Sequence, residues 1–148
     1  MPTKTAREKA RDYIQQHLPR LLAVMWALWN MATAAAYVDR VPPQLEVVDK
    51  ATSVPLWTIW ALATIALALG VLAPSTAPDK VQDVARWLRI GGMMIACAAL
   101  IVWTVAFFYD EPRGWVTGKN YALLAAMAAF TTWTIARDNA RRERVVAV

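Results

Sequence analysis

Charge is missing from most of this chain. No Asp, Glu, Lys or Arg occurs in residues 21–38, 51–78, 90–109 or 120–136, windows of 18, 28, 20 and 17 residues in a chain of 148. A helix rises about 1.5 Å per residue, so about 20 apolar residues cross a hydrocarbon core about 30 Å thick. A soluble protein of this length would scatter its charges through amphipathic segments instead. Cysteine and histidine are as scarce. Cys97 alone makes no intrachain disulfide, thiolate cage or dithiol redox pair. His17 alone makes no zinc-protease helix. Proton-coupled transport needs an ionisable group at membrane depth, and these windows hold no carboxylate or amine. A small multidrug transporter would carry a Glu in its first span, where this chain offers only Asn30. No catalytic residue, cofactor or metal site is expected, and the chain is not read as an enzyme.

What charge there is lies at the ends of the apolar windows, and its sign alternates in weight. Summed over alternate segments, twelve Lys and Arg fall on one side (leader, second loop, tail) and four on the other. Acids divide six to five, so the bias is carried by the bases. The positive-inside rule then places both termini in the cytoplasm, in a bacterial cytoplasmic membrane. This also accounts for the net charge of +5 without a nucleic-acid partner; the expected partners are the lipid bilayer, further copies of the chain, and a phage or host membrane protein. The basic leader, the apolar run from Leu21 and Ala32-Thr33-Ala34 together resemble a signal peptide. The leader is long for that role, and a permanent first span is expected.

The pattern predicts an all-α integral membrane protein, a four-helix transmembrane bundle with an N-terminal amphipathic interfacial helix. Residues 1–19 form the leader, 20–137 the bundle and 138–148 a basic cytoplasmic tail, with spans near 21–38, 54–73, 88–109 and 115–136. In the leader, Thr5-Ala6-Arg7-Glu8 reads as a capping box. Ala6, Ala10, Tyr13, Ile14 and Leu18 line one face, and Pro19 turns the chain upward. Leu45, Val47 and Val48, after Pro42-Pro43, hold a short helix against the outer headgroups. Thr52 or Ser53 caps span two, with Pro55 in its first turn, and Pro74 and Pro78 end it. Span three belongs to one helix from Pro78 to Tyr109, about 48 Å long. Asp110 to Gly114 form a tight turn, span four pairs with span three as an antiparallel hairpin, and its helix extends into the tail.

Few polar groups lie in the spans. Asn30 and Thr33 in span one are the candidates for an intramembrane role. The Asn amide either bridges helices or lines a wet path, and an indole N–H from Trp26 or Trp29 is a possible partner. The other threonines return their hydroxyls to their own helix. Small residues at four-residue spacing mark contact faces, Gly92/Ala96 on span three and Ala122/Ala126 with Ala125/Ala129 on span four, packing within one subunit or between subunits. Trp57, Trp87, Trp115 and Trp133 fall near span ends, with Lys119 snorkelling beside them, as interfacial anchors require. Trp26, Trp29 and Trp103 lie deeper.

The stretch from Trp103 to Ala136 carries Asp110, Pro112-Arg113-Gly114-Trp115 and Lys119-Asn120-Tyr121 between two apolar runs. It resembles the last hairpin of small four-span, holin-like membrane proteins encoded by phages of actinobacteria. The resemblance covers about a quarter of the chain and implies oligomerisation in the cytoplasmic membrane followed by permeabilisation or depolarisation and cell lysis. Two alternatives stand beside it: a membrane protein for superinfection exclusion or partner binding, and a small oligomeric channel or transporter.

Overall fold

The computed structural model describes residues 6–74, 76–109 and 114–146, with side chains except at 6, 8–12, 15, 16 and 138–146. Its elements are α1 (Ala6–Asp39), a 3-10 turn (Pro43–Leu45), α2 (Glu46–Ala51), α3 (Leu56–Leu72), α4 (Asp79–Phe108) and α5 (Gly114–Val146). No strand occurs among the described residues. The expected capping box and the tight turn at 110–113 lie outside those residues.

Two helical stretches, His17–Asp39 and Asp79–Phe108, are long and apolar enough to cross a membrane. A third is added if Pro43–Ala51 and Leu56–Leu72, bent by 80° at their junction, count as one. Among the described residues, length and apolarity thus give two to three candidate spans where four were expected. Lys119, Asn120 and a run of threonines dilute α5, and α3 holds only 17 residues.

The break expected at Pro19 is absent, and with it a separate interfacial helix. α1 runs unbroken through this proline. A proline inside a helix loses one backbone bond and crowds the carbonyl four residues back, at about 3 kcal/mol. Pro19 is buried, and the packing that buries it holds the helix together where an isolated segment would part. On the leader's apolar face, Tyr13, Ile14 and Leu18 are exposed.

Pro55, not Thr52 or Ser53, caps α3, and no side chain takes part. Its carbonyl accepts from the Thr58 N–H at 3.0 Å and from the Thr58 hydroxyl. Thr52 instead closes α2, its hydroxyl donating to the Val48 carbonyl at 3.0 Å. A proline that fixes its own backbone angle and offers a free carbonyl makes a side-chain cap unnecessary. α3 stops at Leu72, two residues before Pro74, and Pro78 caps α4 with Asp79 in the first turn. The short outer helix was anticipated; its preceding turn is pinned by Leu45, which is fully buried.

The four long helices pack in chain order, each antiparallel to the next. Arg20 meets Val71 while Trp29 meets Trp60. Gly70 lies against Ala85 while Gly92 lies against Ala63. Cys97 meets Ala125 while Phe107 stacks on Tyr121. Contact between α1 and α5 is sparse, so the side where they meet is the most open.

The interior is made of small residues and a few large rings. A Cβ on Gly70 would come within 2.6 Å of the Ala85 carbonyl oxygen, and one on Gly92 within 3.0 Å of that of Ala63. Each glycine therefore lets its helix approach the other's backbone, the close packing on which helix association in lipid depends. Ala96, Ala125 and Ala128 face inward beside them, while Leu28, Leu62, Ile101 and Leu123 point outward and are more than half exposed.

Candidate functional site: an aromatic core inside a tryptophan belt

The eight tryptophans divide by position. Trp57, Trp87, Trp115 and Trp133 are exposed, while Trp26, Trp60 and Trp103 are buried and Trp29 half-buried. The exposed set is the one predicted from span ends. Three of its members carry a cation: the Arg86 guanidinium sits 5.8 Å from the Trp87 ring, the Lys119 ammonium 5.0 Å from Trp115 and the Arg137 guanidinium 5.0 Å from Trp133. Indole rings with a cation beside them suit the level of lipid headgroups. On α5 the two cations are 18 residues apart, about 27 Å of helix, close to a hydrocarbon core in thickness.

The buried rings form one connected chain. Trp26 lies edge-on to Trp29 at 5.4 Å between centroids, Trp29 to Trp60 at 5.3 Å, and Trp60 to Trp103 at 5.5 Å. Trp103 continues to Tyr37 at 6.0 Å. Edge-to-face geometry sets the positive rim of one ring on the negative face of the next. The Trp103 indole N–H donates to the Tyr37 hydroxyl at 2.8 Å. One phenol thus joins α1 to α4.

Asn30 does not bridge helices through its own bonds. It is fully buried, and its amide donates to the Trp26 carbonyl of the same helix at 2.8 Å. A carbonyl one turn back is always within reach of a helical Asn, and it wins over a partner on another helix. The Trp26 indole crosses to α5 and donates to the Thr131 hydroxyl at 3.2 Å. Thr33 donates to the Trp29 carbonyl at 2.9 Å, and Thr64, Thr104, Thr131, Thr132 and Thr134 bond one turn back in the same way.

The small residues divide too. Gly92 and Ala96 are buried against α3, and Ala125 is buried beside Cys97, whose thiol lies 3.6 Å from the Ala125 carbonyl. Ala122 is half-buried, while Ala126 and Ala129 face outward. The pairs on α5 therefore do not act as one face. The missing partner of Ala125 is Ala128, fully buried three residues on.

Sequence reasoning missed Trp60, Tyr37, Tyr121 and Arg20. Leu56, Trp60, Ala63, Leu67 and Gly70 recur at steps of three and four and are all buried, but in a helix apolar all round that spacing stands out only in the structure. Arg20 is half-buried and donates to the Val71 carbonyl at 3.3 Å and to the Ala73 carbonyl. A guanidinium thereby satisfies the open carbonyls at the negative end of α3. No cluster of His, Cys, Asp and Glu suited to a metal occurs among the described residues. No protein family, curated protein or solved structure matches the chain.

Proposed function

We propose that α1, α3, α4 and α5 each thread a bacterial cytoplasmic membrane, with both termini in the cytoplasm, and that the protein acts there in the manner of a holin. The observation that carries this reading is the exposed apolar surface. Large apolar residues cover the outside of all four helices, while glycine and alanine line the closest helix contacts beside the buried rings. In water such a surface would drive aggregation; in lipid it is the solvated face. The belt tryptophans and the 18-residue interval between Lys119 and Arg137 support α5 as a span despite its threonines.

One copy offers no ready route for ions. Its centre is filled by Trp60, Trp103, Met93 and Leu100, all at most 1% exposed. Permeation therefore has to arise between copies, and the outward Ala126 and Ala129 on α5 provide a face on which copies can associate. The resemblance of residues 103–136 to holin-like phage proteins points the same way. Regulated expression in a bacterial host, followed with a potential-sensitive dye, tests it. The expected result is depolarisation and growth arrest once the protein accumulates; a dense, polarised culture overturns the reading.

A second reading, superinfection exclusion or partner binding, is favoured by the outer segment. Leu45 anchors it, while Val47 is 76% exposed between Glu46 and Lys50. Cells expressing the protein would then grow normally and resist phage, and replacing Val47 by a charged residue would restore plaques.

A further inference from the structure

We propose that Asn30 and Trp60 together form a binding site for a single water molecule in the middle of the helix assembly. Both side chains are 0% exposed. The Asn30 carboxamide spends its N–H on the Trp26 carbonyl, which leaves its Oδ1 with no donor, and the Trp60 indole Nε1–H has no acceptor. Asn30 directly follows Trp29, whose ring is 5.3 Å from that of Trp60 between centroids. With Arg20 beside Val71 and Trp29 beside Trp60, residues 30 and 60 lie at one level of the α1–α3 pair. Each sits on its helix's buried stripe, Trp26, Asn30 and Ala34 on α1 and Leu56, Trp60 and Ala63 on α3, so an open acceptor and an open donor face the same interior.

A buried polar group without a bond loses its hydration and gains nothing in exchange, and lipid offers no substitute. Buried waters in proteins sit where such groups remain, making two to four bonds each. Water donates to one group and accepts from the other, so one molecule satisfies both. Turning the Asn30 amide over would not help. Its oxygen would then face the Trp26 carbonyl, two acceptors 2.8 Å apart. The other buried indoles need no such molecule, since Trp26 donates to Thr131 and Trp103 to Tyr37. Toward the end of α3, α1 holds α3 through the Arg20 guanidinium on the Val71 and Ala73 carbonyls. The water gives the same helix pair a second polar tie deeper in the assembly.

The test is heteronuclear NMR on the full chain in nanodiscs, with indole nitrogens labelled and the Trp60 resonance assigned by its disappearance in W60F. Magnetisation transfer from water should reach the Trp60 indole proton and the Asn30 side-chain amide protons, and should not reach the Trp103 indole. In N30L the Trp60 signal should move and its water transfer vanish, with the Trp103 signal in place as the control for folding. A Trp60 indole that receives nothing from water in the native protein overturns the proposal, as does transfer that persists unchanged in N30L. Should N30L fail to fold, transfer to both the Asn30 and the Trp60 groups in the native protein decides alone.

Discussion

The two ends of the helix assembly are held by different chemistry. At the end containing Tyr37, large side chains meet: a hydroxyl and an indole tie α1 to α4, and Phe107 stacks on Tyr121 of α5. At the end containing Arg20, α3 and α4 close to backbone contact at Gly70, and an arginine from α1 reaches the last carbonyls of α3. The first end is weakened by removing atoms, because a trimmed side chain leaves a cavity or a buried N–H without an acceptor. The second tolerates no addition, because its contacts are backbone atoms that cannot move without shifting a helix.

The largest effect is therefore expected from adding atoms at a glycine. Gly70→Val would drive its Cβ into the Ala85 carbonyl, a contact of 2.6 Å. Overpacking of a close core typically costs about 1–3 kcal/mol, and against backbone the upper end applies. Thermal unfolding in nanodiscs should show a large fall in midpoint or loss of folded protein. Gly91→Val is the control, since nothing lies within 4 Å of its added Cβ, and it should unfold like the native chain. Equal behaviour of the two variants would remove the case for backbone contact at the Arg20 end.

Next in size is the phenol that joins α1 to α4. Tyr37→Phe leaves the buried Trp103 N–H without an acceptor, at about 1–3 kcal/mol, and membrane measurements of single bonds favour the lower part of that range. A double-mutant cycle of Y37F with W103F should be non-additive, since the two side chains bond each other. Additive losses would mean that they act separately. Arg20→Met comes third, at about 1 kcal/mol, and it should act locally. Amide exchange should quicken near residues 71–73 while the Tyr37 end stays protected.

The same contrast explains what could be read from the sequence. Helix positions followed from charge-free windows bounded by proline, and the exposed tryptophans followed from their position near the predicted span ends. The interior of α3 did not follow. This helix is apolar on every face, so no polar side marks which residues turn inward, and Trp60 looked like any other span residue. Pro19 misled for a related reason. Its cost to a helix is local and visible in the sequence, while its burial is a property of the folded chain. Asn30 showed that an amide in a span needs partners, but not that the carbonyl of Trp26 would take half of it.

The smallest effects separate hydroxyls that look alike in the sequence. Thr33 and Thr131 both donate to the carbonyl four residues back, at 2.9 Å in each case. Only Thr131 also accepts, from the Trp26 indole. Replacing either by valine keeps the side-chain shape and removes one redundant bond to a carbonyl already engaged in the helix, so T33V should lie within about 0.5 kcal/mol of native. T131V should cost about 1 kcal/mol more, because it strands a buried N–H. Unfolding midpoints that coincide for the two variants would mean that the α1–α5 contact contributes nothing. A gap between them would show that the sparse contact between α1 and α5 is held at that level by one indole and one hydroxyl.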